Sequence, residues 1–245
     1  MTSSRFRLAV PGLALLLLLP VAALAQTASD TTFADANWTL TVFPAGNGGS
    51  VVANQQTVGG NSFRSVADTV GASLSTILGT HIYNATTYNP AVSGAIGSLN
   101  YSEDAFCQSG CFGQGQSTGP AVLQGGTLYI YNGFLITGPG ATTQTLTLSG
   151  LTANDFGRVA VTTTTLFDTT HPDFSAAGGP IQFGFFRANG SGPSPGYTLT
   201  AGIDNWSVQV VAGAAAAPVP TLNPLAMSAL ALMLAVAAVL FLRRS

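Results

Sequence analysis

Lysine is missing from this 245-residue chain, and charged side chains of any kind make up 7% of it. Away from the two ends the only basic residues are Arg64, Arg158 and Arg187 and the histidines His81 and His171. Binding to nucleic acid needs a basic footprint that displaces counterions, so that class is excluded, and attraction to anionic headgroups goes with it. Glutamate occurs once, at Glu103. Its neighbour Asp104 cannot complete the facing carboxylate pair of a glycosidase, because adjacent strand residues point to opposite faces. Zincin and P-loop motifs are absent, and neither histidine stands beside a recognisable nucleophile. No catalytic residue emerges, and the chain reads as a non-enzyme.

Cysteine is nearly absent too, with Cys107 and Cys111 the only two. Alone they are too few for zinc, and their spacing is one residue longer than the redox Cys-x-x-Cys. In an exported chain an even count reads as a disulfide, and Ser109-Gly110 between them allows the tight turn.

What the chain does have is an apolar run at each end. Residues 1–25 combine Arg5 and Arg7, an apolar stretch over residues 13–19, and small residues at Ala23 and Ala25, the pattern of a signal peptide cleaved before Gln26. At the other end residues 222–242 carry no charge. As a helix they measure about 31 Å, enough to span a hydrocarbon core. Arg243 and Arg244 then act as a membrane stop on the cytoplasmic side. Val219-Pro220-Thr221-Leu222 precedes this run, and the whole tail resembles the bacterial IPTL-CTERM sorting signal, a relative of PEP-CTERM. Val219 stands where that family has Ile, and Asn223-Pro224-Leu225 replaces the usual Ser-Glu-Trp. The resemblance implies partners: the export machinery, signal peptidase and an exosortase-type membrane protease. It also implies a location at the cell envelope, either anchored through the helix or displayed at the surface after processing. Retention as a plain tail-anchored protein is the alternative.

Between the ends, residues 26–211 suit one domain, followed by an Ala-rich linker at 212–218 and the sorting signal at 219–245. Period-two alternation recurs at residues 38–42, 77–83, 95–101, 127–137, 143–148, 158–167, 181–187 and 203–211. Asn132-Gly133 predicts a hairpin turn, residues 66–75 have a weak helical flavour, and Gly/Pro-rich breaks separate the runs, among them 44–49, 113–120 and 189–196. The fold class is all-β: a jelly-roll-like β-sandwich ectodomain with a signal peptide before it and one transmembrane helix after it. Residues 33–38, 148–152 and 202–206 give it a resemblance to concanavalin-like and carbohydrate-binding-module sandwiches. That resemblance implies a structural calcium ion held by Asp204, with Asp35 as a second ligand, and polysaccharide as a partner. An exposed tyrosine platform is one way to hold a sugar, and the loop that gathers Asp168, His171 and Asp173 is a further polar cluster whose simpler reading is a Pro-stiffened turn. The expected function is a non-catalytic binding or matrix role outside the cell. A glycan-active enzyme and a purely structural coat protein are the alternatives.

Overall fold

The computed structural model describes residues 26–111, 115–138, 142–192 and 195–213, with residues 228, 231–234, 239 and 241–243 of the tail. In chain order the elements are β1 (Thr27–Asp30), β2 (Trp38–Ala45), β3 (Gly49–Val58), β4 (Asn61–Val70), β5 (Ser75–Tyr83), the short α1 (Pro90–Ser93), β6 (Ile96–Ser109), β7 (Ser117–Gln124), β8 (Thr127–Tyr131), β9 (Leu135–Ile136), β10 (Gln144–Leu151), β11 (Phe156–Arg158), β12 (Ile181–Ser191) and β13 (Tyr197–Ala212). They form two antiparallel sheets. Sheet A runs β10-β6-β13-β4-β3, with β1 added on β13; sheet B runs β11-β8-β7-β12-β5-β2, with β9 on β7. Several strands that follow one another in the chain, β4 and β5 or β6 and β7, belong to opposite sheets, so the chain winds across the sandwich as in a jelly roll.

The main core lies between the sheets, and Trp38 is its centre. Its ring meets Phe33, Tyr83, Phe185 and Trp206 with centroids 4.9 to 5.6 Å apart. Asp30 fastens this corner by accepting hydrogen bonds from Thr32 N–H (2.7 Å), Phe33 N–H (2.9 Å) and Trp38 Nε1 (2.8 Å). Burial works to raise the Asp30 pKa, but the bonds from Phe33, Thr32 and Trp38 together hold it below the ordinary carboxyl value. A second, smaller core sits on the outer face of sheet B, where Leu78, Ile82, Ala121 and Phe186 meet Val159, Val161, Leu166 and Phe167.

That second core corrects one expectation. Residues 158–167 alternate like a strand, but only Phe156–Arg158 is one. Thr162 Oγ1 accepts from the N–H groups of Thr164 and Thr165 and turns the chain back, so that Val159 bridges Phe167. Two more expectations change. The weakly helical stretch 66–75 is strand β4 as far as Val70. Asn132-Gly133 does not close a hairpin, because β8 and β9 both pair with β7, one after the other along its edge.

A polar seam runs through the sandwich interior. Arg187 and Glu103 are both fully buried and form an ion pair at 2.9 Å. The Glu103 carboxylate also accepts from Tyr101 Oη (2.5 Å) and Thr118 Oγ1 (3.2 Å). His81, equally buried, stacks on Phe185 at 4.4 Å, and burial with two nearby arginines pushes its pKa well below 6.5, so its ring is neutral. Asp68 faces the same region. Burial raises its pKa from 3.8 to about 7, against the pull of the Gln116 amide and the Arg187 cation. The folded state therefore holds a proton that the unfolded chain has already released, and stability on this account is full below pH 3.8 and falls as the pH climbs to about 7. Asp68→Asn keeps the shape and removes the titration. We expect the variant to be more stable than the parent at pH 7.5, with the gap closing toward pH 4. At about 1.4 kcal/mol per pKa unit, the ceiling on that gap is about 4 kcal/mol. Urea midpoints of both proteins across this range check it; a gap that does not depend on pH would refute it.

The chain divides into a compact unit that ends at Ala212 and a second that begins at Gly213. The leader 1–25 with Ala23 and Ala25, the motif Val219 to Leu222, and Arg244 all lie outside the described residues. In the tail Ser228, residues 231–234, 239 and 241–242 are helical, and Arg243 N–H bonds to the Val239 carbonyl (3.1 Å). Leu232, Met233 and Phe241 there are exposed. Among the described residues no helix is long and apolar enough to cross a membrane.

Candidate functional site

Strand alternation builds the site on the outer face of sheet A. In β6, Glu103 and Ala105 point into the core, so Asp104, Phe106 and Gln108 point out. β13 lies alongside in register, with Gly202 opposite Phe106 and Asp204 opposite Asp104. β4 contributes Phe63 and, at its first position, Asn61. Asn61, Phe63, Phe106, Gln108 and Asp204 line an open groove of about 410 Å³, bounded also by Val58, Cys107 and Thr143, and Asp104 lies beside it, across from Asp204.

The floor is aromatic. Phe63 and Phe106 meet edge to face with centroids 5.0 Å apart. Phe106 can lie across β13 only because position 202 is glycine: a Cβ there would stand 2.2 Å from its ring. The walls are polar. Asn61 Nδ2 donates to Asp204 Oδ2 and Asn205 N–H donates to Asp204 Oδ1, both at 2.7 Å. Asn205 Nδ2 donates to Asp104 Oδ2 at 2.7 Å, and Thr145 Oγ1 to Asp104 Oδ1 at 2.6 Å. Ser65 Oγ donates to Gln108 Oε1 at 2.6 Å.

Asn205 is the extra residue of a bulge in this layout. It adopts φ +47° in the irregularity where β13 shifts register between Asp204 and Ser207. A regular strand would put residues 204 and 206 on the same face. The extra residue of the bulge lets Asp204 face the groove while Trp206 enters the core. At the rim, Cys107 and Cys111 form the expected disulfide. Gly110 turns the chain there with φ +68°, and a Cβ at that position would strike the Thr198 carbonyl oxygen at 2.2 Å. A ring this small contributes about 2 kcal/mol through loop closure, so its main effect is to hold the groove's end in shape.

Of the two residues named for calcium, Asp204 is in the groove and Asp35 is elsewhere. Asp35 accepts from Arg64 Nη1 and Gln55 N–H, both at 2.9 Å, and Arg64 faces inward from β4. Each carboxylate is thus engaged with its own donors. Among the described residues no group of three or more His, Cys, Asp or Glu is placed to hold a metal. The cluster around His171 is also dispersed: Asp168 pairs with Arg158, His171 Nδ1 bonds the Phe156 carbonyl (2.5 Å), and Asp173 accepts from Ser175 N–H (2.9 Å). Tyr88, Tyr101 and Tyr129 are buried and Tyr83, Tyr131 and Tyr197 pack against the cores, so no tyrosine platform forms. The groove's aromatics are instead Phe63 and Phe106. Phe106 was visible in sequence beside Cys107, but nothing in the sequence marked Phe63 or Asn61 as its neighbours.

Chemically, the groove offers carboxylates that accept hydroxyl hydrogens, amide side chains that both donate and accept, and ring surface for C–H faces. Glu103 offers nothing to a bound substrate, since its carboxylate lies between the sheets.

No family model matches the chain, and no curated protein does. Among solved structures, a family 11 carbohydrate-binding module from Clostridium thermocellum, solved with a β-1,3-1,4-mixed-linked tetrasaccharide, aligns over 77% of this chain and 96% of its own, with 12% identity and a TM-score of 0.45. A family 22 xylan-binding domain from Paenibacillus barcinonensis aligns over 79% of this chain and 98% of its own, with 11% identity and a TM-score of 0.30. Both are distant, and the two-sheet architecture and the groove described above rest on this chain's own strands.

Proposed function

We propose that this chain is an exported envelope protein whose β-sandwich binds polysaccharide without chemically altering it, and that the sugar lies in the outer groove of sheet A. The observation that carries the proposal is the groove, where a Phe63–Phe106 floor meets the polar side chains of Asn61 and Asp204, with the Asn205–Asp104 pair beside them. Sugar rings present both apolar C–H faces and hydroxyl edges, and a site combining rings with planar polar groups matches both. The N-terminal leader and the tail from Val219 supply the export and sorting part of the proposal, with Leu232, Met233 and Phe241 as apolar side chains suited to lipid. Intact mass of the mature protein together with cell fractionation tests that part: a mature start at Gln26 in the envelope fraction is expected.

Affinity electrophoresis against a panel of soluble polysaccharides, with a reducing-sugar assay on the same samples, tests the groove. Retardation without new reducing ends is expected. Asn61→Ala and Asp204→Ala should each weaken binding about tenfold, which corresponds to about 1.4 kcal/mol. Retention unchanged in both variants would move the site elsewhere. Turnover would turn the reading toward a glycan-active enzyme, and self-association with no glycan bound would turn it toward a coat protein.

A further inference from the structure

Every arginine in the sandwich is already neutralised. Arg64 is 3% exposed and paired with Asp35 at 2.9 Å. Arg187 is fully buried against Glu103 at 2.9 Å. Arg158, the exposed one, is held by Asp168 through both Nε and Nη2, on sheet B rather than sheet A. The chain has no lysine, and its remaining arginines are Arg5, Arg7, Arg243 and Arg244 at the two ends. The described surface of the sandwich therefore presents no unpaired arginine or lysine. The groove is the reverse case: Asp204 in its lining and Asp104 beside it, cross-strand partners in register, accept hydrogen bonds only from the amide, hydroxyl and N–H groups described above, with no cation beside either. Asp204 is 7% exposed, so water screens it poorly.

We infer that the groove selects polyhydroxylated polymers without acidic groups and rejects uronic-acid, sulfated or other anionic polysaccharides. An acidic sugar entering here would bring its charge against two carboxylates and find no arginine or lysine to repay its lost hydration. A neutral sugar gives hydroxyl hydrogens to those same carboxylates and brings no charge against them. This inference rests on the proposed groove and adds the class of ligand.

Matched polymers that differ only in charge test it with the intact protein: hydroxyethyl cellulose against carboxymethyl cellulose, and a neutral β-1,3-glucan against its carboxymethylated form. Retardation by at least one neutral polymer, with a loss of tenfold or more for its carboxymethylated partner, is expected. Raising the salt to about 0.5 M should narrow the gap, because the Debye length then drops to a few ångströms. Asp104→Asn with Asp204→Asn should narrow it at low salt. Equal or tighter binding of the carboxymethylated partner, or a gap that neither salt nor the double variant moves, would overturn the charge selection while leaving glycan binding intact. Failure of all four polymers to retard the protein would instead remove the polysaccharide reading itself.

Discussion

Arg187→Met is expected to destabilise the sandwich by about 3–5 kcal/mol, because it strands Glu103 as an uncompensated charge in the core. Arg187 is enclosed on all sides, with its Cζ 5.4 Å from the Phe185 ring and its Nη1 on Glu103. Methionine fills much the same volume, so the penalty is electrostatic rather than a cavity. The double variant Arg187→Met with Glu103→Gln should regain most of the loss, since the glutamine is neutral and Tyr101 and Thr118 can still bond it. Guanidinium denaturation of the four proteins in this cycle gives the coupling directly. A double variant no more stable than Arg187→Met would mean that packing, and not the pair, set the cost. Against a typical stability of about 5–15 kcal/mol, the single change alone brings the domain near its limit.

Trp38→Ala should cost about as much, some 3–5 kcal/mol, by the different route of a cavity. The ring touches four other aromatics, lies under the Arg64 guanidinium at 5.9 Å and donates to Asp30. Trp38→Phe separates these contributions. It keeps most of the packing and loses only the Nε1 bond to Asp30, so a cost of about 1–2 kcal/mol is expected. Thermal unfolding followed at two wavelengths checks both variants. Equal losses for alanine and phenylalanine would show that the hydrogen bond outweighs the ring.

The same interior explains what could be read from the sequence. β2 and β13 announced themselves because apolar residues fill one face in alternation, and β5, β8 and β12 because they are dense runs of apolar and aromatic residues, which the structure buries on both faces. β4 hid because two of its inward residues are Arg64 and Asp68, so the seam broke the apolar stripe and left a pattern that looked faintly helical. β3 hid because its outward side mixes the exposed Val52 and Val58 with Ser50, Asn54 and Gln56, and its inward side passes from Val51 and Ala53 to Gln55, so neither face carries a clean apolar stripe. β7 hid behind Gly119-Pro120, which resemble a break. In the sheet they fall between the stretch of β7 paired with β9 and the stretch paired with β8, so no partner on that side needs the missing N–H of proline. The non-hairpin at Asn132 has a similar cause: its N–H and side chain bond the carbonyls of Asp155 and Asn154, which draws the chain onward instead of back. For the groove, Asp204 was legible as a carboxylate entering the last strand. Its companions Asn61 and Phe63 come from a strand about 140 residues earlier, and only the sheet order brings them together.

The single inserted residue at Asn205 has a consequence for how such a protein can diversify. It is one residue more than β6 supplies opposite, so deleting it would restore plain alternation, with Asp204 still outward and Trp206 still inward, and would remove only the side chain that bridges to Asp104. Length at this point and identity on the outer face are therefore both free to change. New ligand preferences can arise by exchanging side chains around residues 61, 104, 106 and 204, one at a time, without disturbing the tryptophan on the inner face.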